Sequence, residues 1–191
     1  MARPRIGADH PYVASGGSRL FAVLACVAAL VAVSAPAALS APSTNGSTLV
    51  SLESGLLRQL NAIRTDRGLV ALRPSYRLAA AATQHSREMA DDGYFDHDSF
   101  DGTSFATRIA HWYPTSGYQS WAVGETLLWS SPTIDPAGAL DLWMHSATHR
   151  ANILNPRWRE IGIGAVHSAT AVGTFEHAPL TIVTTDFGVR R

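Results

Sequence analysis

Apolar residues recur at helical spacing in four parts of the chain, and each part carries a start or stop signal. Gly68 and Gly93 follow the first two parts as stops, and Thr103 or Ser104 caps the third. Asp135 precedes a proline at the start of the fourth, which is a favourable arrangement for an N-cap and first turn. The predicted helices cover residues 49–67, 75–92 and 136–146, with a short helix that continues through Trp112.

After Pro156 the pattern changes from helical to strand-like. Residues 161–167 and 180–187 are rich in β-branched side chains, and small residues with Gly173 lie between them as turn formers. Residues 175–177 are compatible with an extension of the first strand or of the second. Helices followed by two adjacent strands predict an α+β protein in which helices flank a small antiparallel sheet.

An apolar run near the N-terminus has the features of an export signal. It extends from Leu20 to Val33, follows three arginines and precedes Ala35-Pro36-Ala37. A basic segment, an apolar stretch of about 7–15 residues and a small-x-small site are typical of a secretory signal peptide. An uncleaved anchor from Leu20 to Leu39 is the alternative, because about 20 apolar residues span a bilayer. We expect a signal peptide over 1–37, a linker over 38–48 and one domain over 49–191.

Charge and cysteine content narrow the possible partners. The 191 residues carry 15 Arg, no Lys and 15 acidic residues, and from Pro42 onward there are 12 Arg against 14 acidic residues. This balance gives no reason to expect a nucleic-acid partner. The single cysteine, Cys26, lies in the apolar run, so we expect the exported domain to be stable without disulfides.

Histidines and one carboxylate are the candidate chemical groups. His145 and His149 are four residues apart, but Ser146 stands where a zinc peptidase helix has its general-base Glu. Glu125 lies within an apolar segment bounded by tryptophans, and an unpaired buried charge costs several kcal/mol. We therefore expect a cavity in which His97 and His149 hold Glu125.

Seven short motifs, in order and at consistent spacing, resemble one protein family. They are Asn61-x-x-Arg64 with Gly68-Leu69, Ala82-x-x-His85-Ser86-x-x-Met89, Phe95-x-His97, Asp101-Gly102, Gly124-Glu125, Trp143-x-x-Ser146-x-x-His149-Arg150 and Ile161-Gly-Ile-Gly164. Over about residues 52–188 the chain resembles the bacterial branch of the CAP superfamily (cysteine-rich secretory, antigen 5, pathogenesis-related), the SCP-like extracellular proteins. The resemblance implies an α-β-α sandwich.

The resemblance also implies a central cavity with two histidines and two glutamates, which in some members binds a divalent metal. His97 and Glu125 match the first His and the first Glu of that site. Ser146 replaces the second Glu, and His149 is expected to take the place of the remaining His. The implied metal site is therefore a reduced set of His97, Glu125 and His149, with a divalent ion such as zinc.

Three classes of function are compatible with these residues. The first, which the resemblance favours, is a secreted, non-catalytic binding module that recognises a lipid, a glycan or another envelope partner in its cleft. The second is a hydrolase that uses the cavity of His97, Glu125 and His149, with Ser146 or a bound metal, although no nucleophile elbow surrounds the serine. The third is a structural protein of the cell envelope. After signal cleavage we expect a monomer without a membrane or nucleic-acid partner.

The export signal makes a direct prediction. Cleavage after Ala37 should leave a mature chain that begins at Ala38. N-terminal sequencing of protein recovered from the secreted fraction measures this, and an intact Met1 in a soluble cytosolic fraction would contradict it.

Overall fold

The computed structural model of the protein describes residues 5–6, 13–15 and 44–191. The predicted cleavage site and the apolar run before it lie outside the described residues. The helices are α1 (Thr44–Thr65), α2 (Tyr76–Asp92), α3 (Phe105–Trp112), α4 (Pro136–His145) and α5 (Ala147–Ile153). The strands are β1 (Arg5–Ile6), β2 (Val13–Ser15), β3 (Arg73–Pro74), β4 (Trp121–Ser130), β5 (Glu160–Ala171) and β6 (Ala178–Arg190).

One sheet holds all of these strands in the order β1-β4-β6-β5-β3, and β2 also pairs with β4. The predicted antiparallel pairing of 161–167 with 180–187 is confirmed, because β5 and β6 pair antiparallel with Ile163 opposite Thr185. The sheet is not wholly antiparallel, since the two-residue β3 runs parallel to β5. Strands β5 and β6 are both longer than predicted, and their pairing is interrupted by a bulge between Ser168 and Ala171.

Strand β4 is the main element that the sequence pattern did not predict. All ten of its residues are buried, because helices cover both faces of the sheet. A strand buried on both faces lacks the alternation of apolar and polar residues by which strands are usually identified. The sequence therefore identified this segment only as an apolar stretch around Glu125 and not as a strand.

Local capping explains where the helices begin and end. The side chains of Ser75, Ser104 and Asp135 accept hydrogen bonds from the first-turn amides of α2, α3 and α4. Helix α1 begins at Thr44 and so extends into the segment predicted as a linker. His145 and His149 were expected on one helix, but Ser146 ends α4 and caps α5 instead, because serine favours an N-cap over a helix interior.

Helices pack on both faces of the sheet, which confirms the predicted α-β-α sandwich. Leucines of α1 and Trp143 of α4 share one core with Ile161, Val183 and Phe187 of the sheet. The second layer packs on the other face, where Met89 of α2 meets Ile182 and residues of α3 meet Val123. Successive strand residues therefore face different helix layers.

Two residues of the first sequence motif hold the helical layer together. The Arg64 guanidinium is fully buried and donates to the carbonyls of Ile153 and Asn155, at the end of α5. Asn61 exchanges two hydrogen bonds with the backbone of Leu72. Their role is thus to tie α1 to the segments that follow it. Among the described residues, no helix has the length and apolar character required to cross a bilayer.

Close contact between α2 and β5 requires glycine at Gly164. A Cβ there would lie 2.2 Å from the backbone nitrogen of Thr83, so Gly164→Ala must displace the helix. We expect a loss of about 1–3 kcal/mol in the free energy of unfolding, measured by urea denaturation.

Gly138→Ala is the matched control, because its Cβ would find its nearest contact at 3.4 Å, on Asp135 Oδ1. Alanine favours a helix over glycine by about 1 kcal/mol, so this variant should be as stable as the parent or slightly more stable. Equal losses in both variants would contradict the proposed contact.

Candidate functional site

Glu125 lies in the middle of β4 with a fully buried side chain that has two partners. Its Oε1 is 2.7 Å from His97 Nδ1, and its Oε2 accepts a hydrogen bond from Arg108 Nη2. The predicted contact between Glu125 and His97 is therefore present. Charge-assisted hydrogen bonds of this kind are roughly twice as strong as neutral ones, and they supply the counter-charge that a buried carboxylate requires.

Arg108 is the functional residue that the sequence reasoning missed. It lies on α3, one turn after Phe105, and its side chain is 4% exposed. Its Nη1 donates to the backbone carbonyl of His97 at 2.8 Å. One guanidinium therefore connects three segments: helix α3, strand β4 and the loop that follows α2. The available signal was its position, because Phe105, Arg108 and Ile109 fall on the same apolar face of the helix.

The charges around Glu125 determine how it titrates. Burial alone would raise the pKa of Glu125, but the charges of Arg108 and His85 and the hydrogen bond from His97 hold that pKa well below its usual range. Burial opposes protonation of His97, yet its hydrogen bond and attraction to Glu125 raise the pKa of His97 overall. Glu125 is therefore an ionised carboxylate and a weak base.

A second buried carboxyl group, Asp186, stands beside this centre. It lies directly opposite Glu125 in the pairing of β4 with β6 and is fully buried. Burial, followed by the charge of Glu125, raises the pKa of Asp186 well above its ordinary value. The sequence pattern placed Asp186 in a predicted strand, so the reasoning that singled out Glu125 applied to it equally.

His149 and Ser146 take different places from those expected of catalytic groups. His149 is buried in α5, and Asn152 of the same helix donates to the backbone carbonyl of Glu125 at 2.9 Å. Helix α5 therefore lies against β4 at this point, while the side chain of Glu125 contacts His97 and Arg108. Ser146 Oγ caps α5 by accepting from the His149 amide at 3.4 Å.

The predicted metal site of His97, Glu125 and His149 is not assembled. Within the described ranges, no group of three or more His, Cys, Asp or Glu residues is arranged to hold a metal ion. In addition, the Arg108 guanidinium donates to the second carboxylate oxygen of Glu125, where a metal ion would need a free ligand. The residues present therefore do not fit the ion that the resemblance implied.

The loop that carries His97 is held from α2 as well. His85 is fully buried and its Nε2 donates to the Asp96 carbonyl at 2.9 Å, while its Nδ1 faces Glu88 at 3.4 Å. The hydrogen bond from His85 is the largest influence that lowers the pKa of Glu88 to about 2. This loop, with Arg108 and Glu88, borders an open polar cleft of about 310 Å³ between α2 and α3.

A larger and more apolar cavity lies on the opposite face of the sheet. It has a volume of about 440 Å³ and is bounded by the start of α1, the loop before α4, and strands β5 and β6. Leu49, Leu52 and Ile134 supply apolar walls. His167 and Thr181 supply polar groups, with Nδ1 and Oγ1 3.2 Å apart.

The chain is similar to known proteins in both sequence and fold. The model of the cysteine-rich secretory protein family, CAP, matches residues 57–184. The uncharacterized protein YkwD of Bacillus subtilis is 32% identical over 125 residues, which are 65% of this chain and 46% of that protein.

Two solved structures share the fold. An extracellular protein containing an SCP domain from Bacillus anthracis gives a TM-score of 0.55 at 27% identity, over 80% of this chain and 45% of that one. An outer surface protein from Borrelia burgdorferi gives 0.54 at 18% identity, over 71% of this chain and 90% of that one. The chain thus spans less than half the length of the two Bacillus proteins.

Removing the Glu125 carboxylate should expose the cost of a buried cation. Glu125→Leu leaves Arg108 without its counter-ion, so we expect a loss of roughly 3–5 kcal/mol in the free energy of unfolding. The double variant Glu125→Leu/Arg108→Leu removes both charges and should recover a large part of that loss. Urea denaturation of both single variants and the double variant measures the coupling. Additive losses would show that the two side chains do not act as a pair.

Proposed function

The chain belongs to the CAP family of cysteine-rich secretory proteins, and from this premise we propose that it is an exported, non-catalytic binding module. Its ligand is an apolar or amphipathic molecule of the cell envelope, held in the cavity between α1, α4 and the sheet. The observation that carries the proposal is the contrast between two sites: the Glu125 carboxylate is buried and engaged by His97 and Arg108, whereas the apolar cavity has space for a ligand.

The closed centre argues against a hydrolase. A general base needs an accessible carboxylate or imidazole near its operating pH, but both oxygens of Glu125 are engaged by His97 and Arg108. The serine candidate, Ser146, uses its Oγ as a helix cap. A binding function requires neither residue to be free.

The open cavity has the properties of a small-molecule site. Ligand sites are typically concave, of about 300–1,000 Å³, and apolar with a few polar groups that fix orientation. The cavity of about 440 Å³ meets this description, with Leu52 and Ile134 on its walls and His167 at the sheet. An acyl chain or similar apolar group would lie along the walls, and a polar head would meet His167 and Thr181.

The proposed location outside the cytoplasm rests on two observations. The sequence carries a tripartite export signal before the domain. Its structural relatives include an extracellular protein and an outer surface protein. A domain without cysteine after residue 37 is compatible with this location, because its stability does not depend on disulfides.

Filling the cavity should abolish binding. We expect a fluorescent long-chain fatty acid to bind the purified chain and Ile134→Trp to weaken its affinity at least about tenfold, or about 1.4 kcal/mol. Val70→Trp is the matched control, because Val70 is 58% exposed and lies outside the cavity. Fluorescence titration measures all three proteins.

Three results would contradict the proposal. Equal affinity in Ile134→Trp would place the ligand elsewhere. Absence of binding, together with turnover of an ester, peptide or glycan in a substrate panel, would favour the hydrolase. Absence of both would favour a structural role in the envelope.

A further inference from the structure

A guanidinium, that of Arg108, lies beside Glu125 and His97, two of the residues expected to hold a metal ion. Arg108 is 5% exposed, and its two terminal nitrogens donate to Glu125 Oε2 and to the His97 carbonyl. The planar fork of arginine suits such a two-point contact, whereas an ammonium or a small ion would bind as a point charge. The cation is thus part of the chain.

A second buried carboxyl group, Asp186, stands beside Glu125 in this centre. Asp186 faces Glu125 across the strands, and no donor in the described part of the chain reaches either of its oxygens. His97 Nε2 and Arg108 Nε are also buried without a hydrogen-bond partner among the described residues. Removing the Arg108 side chain would leave Glu125 Oε2 without its guanidinium donor, next to the Asp186 carboxyl group.

We infer that Arg108 is the resident cation of this centre and replaces a divalent metal, so that the native protein excludes zinc from the site. A second cation would be repelled by the guanidinium and would have to displace it from Glu125. The arginine also holds the loop, because its contact with the His97 carbonyl fixes the border of the polar cleft. Arg108 is therefore a positioning residue for the cleft as well as a counter-ion.

The inference predicts opposite zinc responses for two proteins. The native chain should melt at the same temperature with and without added zinc, and should retain far less than one ion per chain after dialysis. Arg108→Ala should be less stable without zinc. It should gain about 5 °C or more in melting temperature when zinc exceeds its Kd about a hundredfold. Calorimetry and metal analysis provide these readouts without any assay of activity.

Three further variants make the test specific. Arg87→Ala removes an exposed arginine of α2, and should leave the zinc response as in the native chain. Arg108→Ala/His97→Ala removes one proposed ligand and should lose the gained response. Arg108→Lys keeps a cation at the site, so it should exclude zinc while protecting the loop amides of residues 96–104 from hydrogen exchange less well than arginine.

Clear outcomes would overturn the inference. One is a zinc-dependent rise in the melting temperature of the native protein that Glu125→Gln removes. Another is a folded Arg108→Ala variant that zinc does not stabilise. If Arg108→Ala does not fold, Arg108→Gln replaces it, and refolding yield with and without zinc becomes the measurement. These results are separate from fatty-acid binding, because the cavity lies on the other face of the sheet.

Discussion

The burial of one carboxylate in the middle of a covered strand is the constraint on which the rest of this structure depends. Glu125 cannot remain ionised in that position without donors, and it obtains them from a loop residue, His97, and a helix residue, Arg108. Each donor belongs to a different segment, so satisfying the charge also fixes the segments. The second helix layer is therefore attached to the sheet by electrostatics as well as by the packing of Phe105, Ile109 and Val123.

The same constraint separates architecture from ligand binding. A carboxylate that is fully engaged, with its pKa held low, cannot also serve as a general base. The cleft of about 310 Å³ next to Arg108 is bordered by groups that already hold the loop. The walls of the apolar cavity include two leucines and an isoleucine, whose surface gains from an apolar occupant, beside polar residues such as His167 and Thr181.

Local sequence signals predicted the parts of the fold that depend on local chemistry. Ser75, Ser104 and Asp135 cap the helices where their hydrogen-bonding preferences place them, and the β-branched runs pair as expected. The need of Glu125 for a partner predicted its contact with His97.

Strand β4 was not predicted because burial on both faces removes the alternation of apolar and polar residues along a strand. Arg108 and Asp186 escaped because a single buried charge within an apolar pattern is easily assigned to the surface, although the cost of burial applies to each of them. The prediction that His145 and His149 share one helix was wrong, because their spacing fits a helix but does not show that Ser146 ends one helix and caps the next.

The two-residue period of the strands keeps the charged centre and the apolar cavity independent. Along β6, Asp186 faces α2 and α3, whereas Thr181 belongs to the set that faces α1 and α4 and lines the cavity. A change at one set of alternating positions therefore alters one site and leaves the side chains of the other in place. The centre around Arg108 is held by long-range hydrogen bonds that a single substitution disrupts, while the cavity is held by packing that tolerates exchange among apolar residues of similar volume. Ligand preference can thus vary on one face of the sheet while the charged centre on the other face continues to hold the layers together.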